Sequence, residues 1–88
     1  MNQEQAIAKG RLAELKLQAA EAEMAVSEER ATLRELVGPL TVTKGLDDAS
    51  FDRLVARIVF LSARLVKALQ NLHGLEAEMS TLREEYNL

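Results

Sequence analysis

The sequence predicts an all-α fold: an antiparallel two-helix coiled-coil hairpin that dimerises into a four-helix bundle. Three observations predict it. In two long segments, apolar residues recur at alternating intervals of three and four, which is the spacing of a coiled coil. A Gly-Pro pair lies between the two segments. The second segment also carries more apolar side chains than one neighbouring helix can cover.

The first helix is predicted over residues 3–37. Its seam, meaning the row of residues expected to face the other helix, is interrupted only by Glu29. The other seam members are Ala8, Leu12, Leu15, Ala19, Ala22, Val26, Leu33 and Leu36. We expect Gly38-Pro39 to end the helix, because glycine suits the left-handed position after a last turn and proline cannot continue the helix.

A loop is predicted over residues 38–47, and a second helix over residues 48–86. Asp47 is expected to cap this helix, because its carboxylate can accept the free N–H groups of the first turn. Asp48 is the alternative cap. Gly74 makes the segment Asn71–Gly74 the weakest part of the helix, where both a kink and a straight path remain open.

The seam of the second helix is apolar at every position through five heptads, a length that makes chance agreement improbable. Its members are Phe51, Leu54, Ile58, Leu61, Leu65, Ala68, Leu72, Leu75, Met79, Leu82 and Tyr86. When the seams are paired antiparallel, opposite residues have numbers with a constant sum. We expect this sum to be 87, which places Leu15 opposite Leu72 and Glu29 opposite Ile58. The whole chain, residues 1–88, then forms one domain.

The two flanks of this hairpin differ in chemistry. With the seams labelled a and d, one flank holds the c and g positions. It carries glutamates on the first helix and basic residues on the second: Glu14, Glu21, Glu28, Glu35, Arg53, Arg57, Arg64 and Lys67. We expect ion pairs across this polar flank, which contribute about 0–1 kcal/mol each and mainly set register and direction.

The opposite flank, at positions b and e, is apolar on the second helix. It carries Val55, Val59, Val66 and Leu69, here called the valine stripe, and Leu17 and Met24 extend the apolar surface on the first helix. Burial of one large aliphatic side chain contributes about 1.5–3 kcal/mol. We therefore predict that these six residues form an oligomer interface. A homodimer is the expected assembly, and a helix from a different protein is the alternative.

Composition argues against several classes of function. A chain of 88 residues with no cysteine has no disulfide and suits a reducing, cytoplasmic environment. The single histidine, His73, predicts neither a metal site nor a cofactor site, and is interpreted as a pH switch or as an exposed bystander. A net charge of −3 argues against nucleic acid. Five charges within residues 51–69 argue against a membrane span.

No catalytic residues are predicted. General acid–base chemistry needs a pocket that shifts pKa values, and two helices joined by one loop offer little pocket. The sequence therefore predicts a non-enzymatic structural or protein–protein interaction module, such as an adaptor, an assembly factor or a small chaperone. The alternative is a small regulatory protein that binds nucleic acid through a composite surface of the oligomer.

Glu29 is the one charged residue on a seam, and two interpretations remain open. It either fixes the register, as buried polar residues do in some coiled coils, or reaches sideways to Arg57, Arg30 or solvent. In both cases we expect Glu29→Leu to raise the thermal stability.

Overall fold

The chain forms an all-helical hairpin. A computed structural model describes residues 2–41 and 46–88. Helix α1 spans Gln3–Thr41 and helix α2 spans Asp48–Tyr86, each with 39 residues. The two helices pack side by side in opposite directions, and the molecule measures 66 × 14 × 14 Å. The predicted all-α, two-helix hairpin is therefore confirmed.

Helix α1 does not end at Gly38-Pro39, as the sequence analysis expected. It continues through both residues to Thr41. Proline disfavours a helical residue before it because its ring crowds the Cβ of that residue. Gly38 has no Cβ, so the pair can stay helical at the cost of one backbone hydrogen bond. Positions 42–45 of the predicted loop lie outside the described residues.

Helix α2 begins at the predicted cap. Asp47 has extended backbone angles, and its Oδ1 accepts a hydrogen bond of 2.7 Å from the backbone N–H of Ser50. Hydrogen bonding from Ser50 lowers the pKa of the Asp47 carboxyl, since these bonds favour the charged form. The helix then runs without interruption through Asn71–Gly74. It ends at Asn87, which is left-handed with φ 55°.

The two seams form the core of the hairpin. The buried residues are Ala8, Leu12, Leu15, Ala19, Ala22, Val26, Leu61, Leu72 and Met79. Leu15 is fully enclosed, with 0% of its surface exposed. The predicted seam residues Leu33, Leu36, Leu54, Ile58, Leu65 and Leu75 are half-buried. The buried residues of both helices therefore lie along the two rows that repeat at intervals of three and four.

The register of the helices differs from the expected sum of 87. Leu12 lines a groove with Arg83 and Leu88, and Ala8 lines another with Leu82. The bonded pairs across the hairpin, Arg11–Glu78, Gln5–Tyr86 and Glu29–Arg64, have sums of 89, 91 and 93. The register is therefore shifted from the expected sum of 87 by a few residues toward the end of α2.

Phe51 is the one predicted seam residue that is exposed, with 39% of its surface accessible. Phe51 lies in the first turn of α2, at the end of the hairpin where α1 ends at Thr41. The seam of α2 is therefore less covered at this end than further along the helix.

Candidate interaction surface

The ion pairs between the helices lie on the polar flank. Arg11 reaches across from α1, and its Nη2 lies 3.0 Å from Oε1 of Glu78 on α2. The other end of the same guanidinium lies 3.4 Å from Glu14 Oε2 on its own helix. The hydrogen bond that the Arg11 guanidinium donates to Glu78 is the main reason that the pKa of Arg11 is raised above its usual value. This flank is therefore hydrophilic and bonded across the hairpin near the chain ends.

Glu29 pairs with a residue that the sequence analysis did not name as its partner. Its Oε1 lies 2.9 Å from Nη2 of Arg64, whose residue number adds with 29 to 93 and so fits the shifted register. The Glu29 side chain is 16% exposed, whereas the Arg64 side chain is 58% exposed. The carboxylate thus leaves the seam sideways, as the second interpretation required, but it meets Arg64 instead of Arg57 or Arg30.

Among the described residues, none of the ion pairs that the sequence predicted between the glutamate row of α1 and the basic residues of α2 is formed. Within residues 2–41 and 46–88, no ion pair joins Glu21, Glu28 or Glu35 to a basic side chain of α2. The expected partners followed from a sum of 87, and the change of register moved them along the helix axis. Of the four glutamates in this row, Glu14 alone is held by a basic residue in the described part of the chain.

The valine stripe lies largely outside the core. Val55 is 38% exposed, Val59 is 63% exposed and Val66 is 53% exposed. Helix α1 does not cover them, because it packs against the neighbouring seam of α2. The structure therefore presents three valines of one helix flank to the exterior of the hairpin.

The remaining predicted interface residues have different positions. Leu69 is half-buried and packs against the core, so it offers less surface than expected. Leu17 and Met24 are 65% and 63% exposed. They occupy position f of α1, which faces away from α2, and so they lie on the back of α1 rather than beside the valine stripe.

Among the described residues, three large apolar side chains are exposed at positions that the sequence pattern did not predict. Phe60 is 62% exposed, Ile7 is 66% exposed and Val37 is 44% exposed. Phe60 occupies position c, between Arg53 and Lys67 on the polar flank. The large apolar side chain of Phe60 could have identified it as a surface feature. The charged residues on the same flank, however, predicted a polar surface.

The depressions on the surface of the described residues are grooves open to solvent, such as the one lined by Ala20, Glu23, Met24, Ser27 and Glu28. No group of three or more His, Cys, Asp or Glu side chains is placed to hold a metal ion in residues 2–41 and 46–88. His73 is exposed on α2.

Comparisons with known proteins give no further assignment. No protein family matches the chain, and no significant match was found among curated proteins or solved structures. Within the described residues, neither helix combines the length and the apolar character needed to cross a bilayer. The surface of the hairpin itself is therefore the basis for assigning a function.

Proposed function

We propose that this protein is a non-enzymatic protein–protein interaction module that works as a homodimer, with the valine stripe as its contact surface. The observation that carries the proposal is the exposure of Val55, Val59 and Val66, by 38–63%, on one flank of a rigid helix. Such a surface is costly to leave in water, and contiguous exposed apolar patches usually mark interaction sites.

The charge distribution on α2 supports this assignment. Between residues 54 and 70, every charged residue lies at position c or g: Arg57, Arg64 and Lys67. The b, e and f positions of this segment carry no charge at all. Interface centres are depleted in charge because a buried ion without a partner is expensive. The uncharged side of α2 therefore has the composition of a contact surface over about four helical turns.

A second copy is the occupant that this surface fits best. A two-fold dimer needs only one surface that is complementary to itself. The size of the protein also favours self-association, since a chain of 88 residues has a small core and oligomerisation is a common source of added stability. Two hairpins joined in this way form a four-helix assembly.

The proposal is tested by measuring the mass of the purified chain by light scattering and sedimentation. We expect a dimer. The double variant Val59→Glu, Val66→Glu should give monomers or an unfolded chain, because it places four carboxylates in one interface. A fully helical dimer from this variant would refute the valine stripe as the contact.

Phe60→Glu provides a matched control. Phe60 and Val59 are adjacent and almost equally exposed, by 62% and 63%, but they lie on opposite flanks of α2. The Phe60 variant removes a larger apolar side chain from water without touching the proposed contact. It should remain a dimer. If it dissociates while the Val59 variant stays dimeric, the interface lies on the polar flank instead.

A further inference from the structure

The valine stripe is part of a second, regular seam on α2. Val55, Val59, Ser62, Val66 and Leu69 are separated by intervals of four, three, four and three residues. This is the spacing of a coiled coil, and it runs parallel to the seam that packs against α1. Helix α2 therefore has the pattern of a helix with two helical neighbours, of which α1 is one.

The second seam reads nearly the same in both directions from Ser62. Val55 and Leu69 lie seven residues on either side, and Val59 and Val66 lie three and four residues away. From this symmetry we infer that α2 packs antiparallel against α2 of a second copy, with the two-fold axis passing beside Ser62. This inference rests on the proposed homodimer and adds its geometry.

In this arrangement, each member of the seam meets a suitable residue of the second copy. Val59 faces the second copy's Val66, and Val55 faces its Leu69. The two Ser62 hydroxyls meet on the axis, where each can donate and accept a hydrogen bond. One turn further out, Asp52 faces the second copy's His73, and an imidazole N–H can donate to a carboxylate.

Other antiparallel registers of the same seam match poorly. A shift of one step in one direction places Asp52 against Leu69 of the second copy, so that a carboxylate is desolvated by an apolar side chain. A shift of one step in the other direction places Asp52 against Glu76, which brings two like charges together. Of these three registers, only the one centred on Ser62 pairs apolar residues with apolar residues and the Asp52 carboxylate with a hydrogen-bond donor.

Two further features assign this contact to α2 rather than α1. On α1, the e positions of the same flank are Lys9, Lys16, Glu23 and Arg30, all exposed and charged. Beside the second seam of α2, positions f are Ala56 and Ala63, which are small enough to let two helices approach closely. The contact is therefore carried by α2, with its alanines next to the axis.

The absence of native cysteine allows a direct test by disulfide formation. The variant Ser62→Cys places one thiol of each copy at the axis, where Cα atoms can come within the 4.4–6.8 Å that a disulfide requires. Ser80→Cys is the matched control, because Ser80 is also a serine on the b and e flank of α2. Its two copies would be roughly 54 Å apart in the antiparallel dimer, at about 1.5 Å rise per residue.

The mass of each variant is measured first under reducing conditions, and crosslinking is then followed on non-reducing gels under mild oxidation. We expect both variants to be dimers, and only Ser62→Cys to shift to twice the chain mass. Crosslinking of both variants would indicate a parallel dimer and overturn the inference. A dimer in which Ser62→Cys fails to crosslink would overturn the axis position and leave the proposed homodimer standing, whereas a monomer would overturn both.

Discussion

Arg64 of α2 and Glu29 of α1 are joined by an ion pair of 2.9 Å at the one seam position of the first helix that is not apolar. The pair allows a charged residue to occupy a position on the apolar seam. Glu29 keeps its stem in the seam, while its carboxylate moves to the edge, where an exposed guanidinium neutralises it. The pair is therefore partly desolvated on one side only, and its net contribution to stability is small.

The first prediction is that Glu29→Leu stabilises the protein. Leucine would bury its whole side chain between the helices, whereas Arg64 is already 58% exposed and would return to water at little cost. We expect a gain of about 1 kcal/mol. This gain corresponds to a rise of about 4–8 °C in melting temperature for a domain of this size.

Arg64→Ala is the informative comparison for this prediction. It leaves the Glu29 carboxylate at the edge of the seam without its partner, and it should lower the melting temperature. The same substitution in the Glu29→Leu background should have almost no effect, because the partner is already gone. A melting temperature that falls on Glu29→Leu would contradict the account of this pair.

The second prediction compares two leucines of α1 that are two residues apart, one in the core and one on the back of the helix. Leu15 is 0% exposed, and Leu15→Ala should cost about 2–5 kcal/mol of unfolding free energy in a urea titration. Leu17 is 65% exposed at position f, and Leu17→Ala should change neither the stability by more than about 0.5 kcal/mol nor the mass of the dimer. A dimer weakened by Leu17→Ala would place the back of α1 in the interface after all.

The third prediction is that Gly10→Ala and Gly74→Ala each stabilise the protein. Both glycines lie inside helices, and a Cβ built on either meets no atom within 4 Å. Alanine is favoured over glycine in a helix interior by about 1 kcal/mol. Thermal unfolding followed by circular dichroism should show two increases that add in the double variant, since the glycines are on different helices. If Gly74→Ala lowers the melting temperature, α2 needs the backbone freedom of a glycine at this point.

The fourth prediction is a pH dependence at the start of α2. The hydrogen bonds from Ser50 lower the pKa of the Asp47 carboxyl, so this group stabilises the fold above its unfolded pKa of about 3.9. The stabilisation is lost as the pH falls through the lower folded pKa. The melting temperature of the native chain should therefore exceed that of Asp47→Ala at neutral pH, and the difference should shrink as the pH falls below the unfolded pKa of about 3.9.

Asp47→Asn separates the charge from the cap. Asparagine keeps the side-chain acceptor but has no titratable proton in this range. The melting temperature of Asp47→Asn should lie above that of Asp47→Ala at neutral pH and at acidic pH. An Asp47→Ala variant that matches the native chain at neutral pH would show that the cap does not stabilise α2.

The local chemistry of the sequence determined the secondary structure and most of the core. The heptad spacing identified the buried seam from Ala8 to Met79, since a helix places every third and fourth residue on one face whatever surrounds it. Asp47 was identified as the cap for the same reason, because its bond to Ser50 depends only on residues three positions apart.

The tertiary structure determined which residues of α1 lie opposite which residues of α2. The spacing of the two seams does not by itself fix how far one helix is shifted along the other, and the bonded pairs across the hairpin have sums of 89 to 93 instead of 87. This shift paired Arg64 with Glu29. The continuation of α1 through Pro39 also differs from the sequence prediction, because Gly38 has no Cβ for the proline ring to crowd and Pro39 lies in the last turn, where it removes one backbone hydrogen bond.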